Sequence, residues 1–211
     1  QHNRISEVVK KILVSRIRNF PELNAEIRNA PFHAAILETF QNNFKDLKIE
    51  TPRLIAIASW LHGLNTSLGS GFENIGNILC DGYKRKFTGK FVLKIKDGQA
   101  ATIEGIMRQL KSGEIKPDLK LENEKVFKFD KLDKDTNSLG FTADIFVERE
   151  NDVIAIELKS VRPNSGEGRG EKQKILYGKA ALKNLYPKKN IKFFIGFPFD
   201  PTSKTPNGYD K

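Results

Sequence analysis

The sequence predicts an α/β fold in which helices flank a mixed β-sheet and the N-terminal part of the chain is helical. Three observations support this prediction. Residues 4–18 carry apolar side chains at helical spacing. Residues 141–148 and 154–159 are strand-like runs joined by a short polar turn. A helix over residues 171–185, followed by a buried strand over residues 191–197, adds the βαβ crossover of a mixed sheet.

The two runs around the turn alternate with period two and are rich in β-branched and aromatic residues, which is typical of strands. In the first run, Phe141, Ala143, Ile145 and Val147 alternate with Thr142, Asp144, Phe146 and Glu148. In the second run, Ile154, Ile156 and Leu158 alternate with Ala155, Glu157 and Lys159. The pattern predicts an antiparallel hairpin.

The hairpin register decides which charged residues meet. A two-residue turn at 150–151 places Asp144 opposite Glu157, and a turn one residue later places it opposite Lys159. In either register we expect these three side chains on one face, since side-chain direction repeats every two residues. The alternative is an exposed hairpin face that carries an ordinary Glu–Lys ion pair.

Two carboxylates beside an apolar hairpin repel each other unless a cation compensates their charge. A hard divalent ion such as Mg²⁺ would do so through oxygen ligands. Lys159 could then hold or activate a water nucleophile, or stabilise charge on a phosphate.

The spacing of these residues resembles the D…(D/E)-x-K motif of the PD-(D/E)XK nuclease superfamily. Asp144 is followed, after twelve residues, by Glu157-Leu158-Lys159. Ala143 stands where the superfamily name has Pro, a position that varies among its members. The resemblance covers roughly the second half of the chain.

The wider context, Glu-Leu-Lys-Ser-Val-Arg-Pro-Asn before a Gly-rich loop and a Lys/Gln-rich helix, resembles type II restriction endonucleases of the TdeIII/MjaII type. The resemblance implies a restriction-endonuclease-like core and Mg²⁺-dependent hydrolysis of phosphodiester bonds in double-stranded DNA by a homodimer. It implies that Asp144 and Glu157 ligate the metal and that Lys159 orients or activates the attacking water.

Composition fits a DNA-binding enzyme. The 211 residues are 38% hydrophobic and carry a formal charge of +10, which predicts a polyanionic partner. The single Cys80 excludes an internal disulfide and a cysteine-based zinc site, and it favours a cytoplasmic location. We recognise neither an apolar run long enough to span a membrane nor a secretory signal. Because the sequence begins with Gln1 and not with Met, a trimmed N-terminus is an open alternative.

Basic residues are concentrated after the predicted hairpin, where only Glu167 and Glu171 oppose them up to residue 192. A soluble basic helix face is the simple interpretation, and a phosphate-tracking surface beside the predicted metal site is the one we favour. The candidate nucleic-acid-binding residues are Arg162, Arg169, Lys172, Gln173 and Lys174.

We expect a single nuclease domain over residues 1–211. It comprises a helical N-terminal part (1–82), a basic hairpin and helix insertion (83–118) and a catalytic core (119–211). The basic strand or hairpin around residues 83–96 could touch DNA or form a lysine-guarded sheet edge.

Glu73 is a further catalytic candidate. Gly69 and Gly76 lie on its helical face, so another backbone or a substrate could approach closely there. Many PD-(D/E)XK nucleases place a glutamate on a helix before the core sheet, and Glu73 resembles it. The alternative is a surface glutamate beside an apolar stripe.

Three local predictions complete the chain. Residues 126–129 form a strand, residues 162–170 form a flexible loop, and residues 99–111 form a helix. Two other functions remain open: a repair or junction-resolving nuclease of the same fold, and a DNA-binding module whose hairpin charges are structural.

Overall fold

The computed structural model describes residues 1–20, 31–40, 42, 51–159 and 164–198. The chain forms two compact units, Gln1–Ile75 and Gly76–Lys211. In the first unit the predicted helical N-terminal part is confirmed. Its described residues form α1 (His2–Arg18), α2 (Pro31–Thr39) and the start of α3 (Thr51–Cys80), which runs on into the second unit.

Side chains tie α1 to α3 within the first unit. The guanidinium of Arg16 donates hydrogen bonds to the Ser67 hydroxyl, with its Nε at 3.0 Å. The indole of Trp60 donates to the Arg16 carbonyl at 3.0 Å and meets the Phe20 ring edge-on at 5.0 Å. A partly buried indole N–H needs such a partner, so Trp60 is a packing residue.

The second unit is built on a four-stranded mixed sheet with strand order β1-β4-β5-β6. Its strands are β1 (Tyr83–Phe87), β4 (Phe141–Glu148), β5 (Asp152–Leu158) and β6 (Asn190–Gly196). The β1–β4 and β4–β5 pairs are antiparallel, whereas β5 and β6 are parallel. The predicted hairpin, crossover and mixed sheet are therefore confirmed.

The basic stretch 83–96 does not fold back on itself. It contains β1, a short 3-10 helix (Gly89–Phe91) and β2 (Lys94–Lys96). Because β1 is an edge strand of the large sheet and β2 pairs with β3 (Asp135–Asn137), the hairpin alternative for this stretch is wrong.

A β-bulge in β4 changes which side chains share a face. Lys84 of β1 lies opposite two residues of β4, Asp144 and Ile145. The extra residue reverses the alternation along the strand. Phe141 and Phe146 consequently lie in one core cluster, so the prediction that they point to opposite faces is wrong.

Helices α4 (Asp97–Ser112) and α5 (Leu119–Phe127) follow β2. The helix predicted over 99–111 is confirmed, but the strand predicted over 126–129 is wrong, because Val126 and Phe127 end α5. The Asp118 carboxylate caps α5 by accepting from the Leu121 amide at 2.9 Å, and Val126 is fully buried in a helix–helix core.

The crossover helix α6 (Ser165–Leu185) starts earlier than the sequence predicts. Its Gly-rich first turns fold as helix because Asn164 and Glu167 form a capping box. Asn164 Oδ1 accepts from the Gly166 and Glu167 amides at 3.0 and 2.9 Å, and the Glu167 carboxylate accepts from the Asn164 amide at 3.1 Å. The described part of the predicted 162–170 loop is therefore helical from Ser165.

Helix α6 lies between two hydrophobic cores and is buried at every residue from 176 to 182. Leu182 packs with the sheet, whereas Leu176, Tyr177 and Ala180 pack with α4, α5 and β2. A helix that is buried all round is an internal support. No described helix is long and apolar enough to cross a membrane.

We predict that Gly178→Ala destabilises the protein. A Cβ at Gly178 would lie 2.6 Å from Phe193 Cε1, so α6 and β6 would have to separate. Overpacking of this kind costs about 1–3 kcal/mol of unfolding free energy, measured by urea denaturation. Gly105→Ala in α4 is the matched control, because no atom lies within 4 Å of its added Cβ. Equal unfolding free energies for the two variants would contradict the prediction.

We also predict that Asn164→Ala lowers the unfolding free energy by about 1 kcal/mol, since it leaves two amides at the start of α6 without their acceptor. Asn164→Asp keeps the accepting oxygen and should retain nearly all the stability. Urea denaturation measures both variants. If the alanine and aspartate variants unfold at the same urea concentration, the cap does not stabilise α6.

Candidate active site

The register of the hairpin brings the two predicted metal-binding residues opposite each other. Ile145 of β4 pairs with Ile156 of β5, and continuing this register by one pair sets Asp144 against Glu157. This is the first of the two predicted registers, with the turn at 150–151. The structure thus confirms this register of the hairpin.

Asp144 lies in the β-bulge and is 8% exposed. Its Oδ2 accepts a hydrogen bond from the Leu158 amide at 2.9 Å, which links the carboxylate to β5. Its Oδ1 lies 3.1 Å from the Lys84 ammonium, and its carbonyl accepts from the Asn77 side chain at 2.9 Å. The bulge therefore aims Asp144 along the sheet toward the C-terminal end of β5.

Glu157 and Lys159 form a charge cluster with two residues of α6. The Lys159 ammonium lies 3.1 Å from Glu157 Oε1 and 3.0 Å from Glu171 Oε1. The Lys174 ammonium lies 3.1 Å from Glu157 Oε1 and 2.6 Å from Glu171 Oε2. The Lys159 amide also donates to the Gly196 carbonyl at 2.9 Å, so this lysine is anchored to β6.

The cluster shifts the pKa of two of its members. Burial alone would lower the pKa of Lys159, but hydrogen bonds to Glu171 and Glu157 outweigh it and raise this pKa above its ordinary value. Burial alone would raise the pKa of Glu171, but Lys174 and Lys159 hold it below its ordinary value. Lys159 is therefore an ammonium and Glu171 a carboxylate at neutral pH.

The carboxylates offer the hard oxygen donors that Mg²⁺ prefers. Within the described part of the chain, both ion pairs of Glu157 use Oε1, so Oε2 remains available to a ligand. Each oxygen of Asp144 can accept a second contact beside its present one. Across the described residues no ready group of three or more His, Cys, Asp or Glu side chains is found. The donor chemistry fits a divalent cation, and ammonium groups now neutralise these carboxylates.

The candidate nucleic-acid-binding residues differ in their surroundings. Arg162 lies outside the described residues, and Arg169 is exposed on the second turn of α6. Lys174 belongs to the charge cluster beside Glu157.

Lys172 and Gln173 face α5 and α4. The Lys172 ammonium pairs with the buried Glu122 carboxylate. The Gln173 amide donates to the Glu104 carboxylate at 2.9 Å, as does the Tyr177 hydroxyl at 2.9 Å. These contacts hold the first half of α6 against its neighbouring helices.

Glu73 lies on α3 in the first unit and is half-buried, whereas Asp144, Glu157 and Lys159 belong to the second unit. Of the two glycines that flank it on the helix, Gly76 is closely approached: a Cβ there would overlap Ile145 Cδ1. Among the described residues, no atom outside the neighbouring helix backbone lies within 4 Å of a Cβ added at Gly69. The catalytic role of Glu73 stays a prediction.

Sequence reasoning missed two residues at the site. The sequence indicates Glu171 only as a charge that opposes the basic run, yet it contacts Lys159. Lys84 was part of an undivided basic stretch, yet it pairs with Asp144. The spacing of Glu171 and Lys174, three residues apart on one helix face, was the available signal for the first. No local signal could give the β1–β4 register that brings in Lys84.

Comparisons of the sequence with known proteins show the family to which this chain belongs. Residues 1–211 match the family model described as Type II restriction endonuclease, HinfI. The chain is 43% identical over 213 residues to a protein of Methanocaldococcus jannaschii named Type II restriction enzyme MjaII. That match covers 99% of this chain and 57% of the relative.

No solved structure matches the chain significantly. The chain spans about 57% of the length of the curated relative, so the comparison concerns a part of that protein. The family match, in contrast, covers the whole chain. This chain therefore belongs to the HinfI family of type II restriction endonucleases.

Proposed function

We propose that this protein is a type II restriction endonuclease that hydrolyses phosphodiester bonds at specific sequences in double-stranded DNA, within a restriction-modification system. The observation that carries the proposal is the position of Asp144 opposite Glu157, with Lys159 paired to Glu157, on a chain of this family. This position supports the D…E-x-K motif for which the sequence resembles the PD-(D/E)XK superfamily.

We infer that Asp144 and Glu157 would hold a Mg²⁺ ion, because their oxygens are hard donors on neighbouring strands. When bound, the ion would supply a Lewis acid for the phosphate and lower the pKa of a coordinated water. The bulge and the Leu158 amide fix the direction of the Asp144 carboxylate. The chain thus pre-organises one of the two ligands before metal and DNA arrive.

Lys159 orients the attacking water and stabilises charge on the phosphate in this proposal. Hydrogen bonds to Glu171 and Glu157 raise its pKa, so its ammonium can donate hydrogen bonds to the water or the phosphate. Its anchors on both sides, the Gly196 carbonyl and the Glu171 carboxylate, limit how far the ammonium can move. For Glu73 we propose a role in completing the metal ligands or orienting them.

DNA binding would use the positive charge of the chain, +10 in total, which favours association with a phosphate backbone. Arg169 is the exposed candidate on α6, and Arg162 stays in the proposal with it. Lys172, Gln173 and Lys174 are engaged by carboxylates, so each would have to exchange that partner for a phosphate.

We further propose a homodimer, because a two-fold assembly suits cleavage of both strands of a symmetric DNA site. DNA as the substrate and the single thiol, Cys80, favour the cytoplasm as the compartment.

The test is cleavage of plasmid DNA with Mg²⁺. We predict discrete fragments from the wild type and a fall in the cleavage rate on the order of 10² to 10³ in Asp144→Asn, because the variant loses the charge that would hold the metal. Asp152→Asn is the matched control: it removes a carboxylate that pairs with Lys192 at the turn end of β5, and it should cleave like the wild type.

Other outcomes separate the remaining functions. Structure-selective nicking that Asp144→Asn abolishes would indicate a repair or junction-resolving nuclease. DNA binding without cleavage in Mg²⁺ or Mn²⁺, on DNA of varied sequence, would contradict the nuclease and indicate a binding module.

A further inference from the structure

Two carboxylates and two ammonium groups form a closed ring at the C-terminal end of β5. Each lysine bridges both glutamates: Lys159 at 3.1 and 3.0 Å, and Lys174 at 3.1 and 2.6 Å, from Glu157 and Glu171 respectively. The two positive and two negative charges cancel. The site is therefore electrically balanced before any metal ion binds.

The ring is shielded enough for this balance to matter. The side chains of Glu157 and Glu171 are each 14% exposed, and Glu171 Oε2 is buried from solvent. Two carboxylates held this close to the same ammonium groups repel each other, and partial burial strengthens the repulsion. A cation must accompany them, and the Lys174 ammonium occupies that place in this structure.

Lys159 and Lys174 reach the ring from different elements. Lys159 follows β5 and is anchored to β6 by its amide. Lys174 extends from α6, one turn beyond Glu171, and its stem is flexible like that of every lysine. Of the two ammonium groups, that of Lys174 can leave Glu157 while staying paired with Glu171.

We propose that Lys174 is a built-in counter-cation that occupies Glu157 in the metal-free enzyme and competes with the divalent ion for this carboxylate. Glu171 is the positioning residue that receives the displaced ammonium and keeps Lys159 in place. This inference rests on the proposed function, since it takes Glu157 as a metal ligand. It makes metal binding depend on a residue outside the D…E-x-K motif.

The test measures the affinity for Mn²⁺ directly, by calorimetric titration of the full chain without DNA. Lys174→Met removes one positive charge from the ring and leaves a net charge of −1. We predict that it binds Mn²⁺ about ten-fold more tightly than the wild type. Lys174→Arg keeps the charge and should stay near the wild-type affinity.

Lys183→Met is the matched control, because it removes the same charge further along α6, where the Lys183 ammonium donates to the Lys189 carbonyl. It should bind Mn²⁺ like the wild type. Equal affinities for Lys174→Met and the wild type, including no binding by either, would overturn the proposal. So would an equal gain in Lys183→Met, which would indicate bulk charge instead of competition.

Plasmid cleavage by the wild type, measured in parallel, keeps this inference separate from the proposed function. If the wild type cleaves the plasmid and Lys174→Met binds Mn²⁺ with unchanged affinity, the proposed competition is overturned and the proposed function is not. Tighter Mn²⁺ binding by Lys174→Met, without cleavage by the wild type, supports the competition and contradicts the nuclease activity.

Discussion

Burial of α6 on all sides is the constraint on which the second unit depends. Its residues 176–182 are enclosed by the sheet on one side and by α4 and α5 on the other. A close-packed helix cannot rotate or slide without opening cavities or clashes, as Gly178 against Phe193 illustrates. The helix consequently presents Glu171 and Lys174 to Glu157 as a matter of packing.

Charge balance links this packing to chemistry. Every carboxylate near the end of β5 has an ammonium partner: Lys84 for Asp144, and Lys159 and Lys174 for the two glutamates. Removing one partner from such a half-buried group leaves an uncompensated charge, which costs more than the ion pair contributes. A metal ion that binds here would therefore compete with these ammonium groups for negative charge, and a displaced ammonium would become available to a phosphate.

The sequence allowed prediction of the hairpin, of two registers of which the structure has one, and of the crossover, because period-two alternation and a short turn are local signals. It did not allow prediction of the bulge at Asp144, since a bulge is set by the partner strand and β1 lies far away in sequence. The prediction of a strand at Val126 was wrong, because residues that pack against α4 and α6 are apolar in a helix just as they would be in a buried strand. The sequence did not identify Glu171 as a site residue, because a glutamate on a basic helix is equally typical of a solvent-exposed position.

We propose that Asp144 and Glu157 hold the catalytic metal while α6 supplies the competing ammonium. The most direct measurement is a crystal structure of the full chain soaked with Mn²⁺, in which anomalous scattering locates the ion. We predict one peak coordinated by Asp144 and Glu157, with the Lys174 ammonium moved away from Glu157 and still paired with Glu171. A Mn²⁺ ion bound elsewhere, or bound at Glu157 with the Lys174 pair intact, would contradict the account.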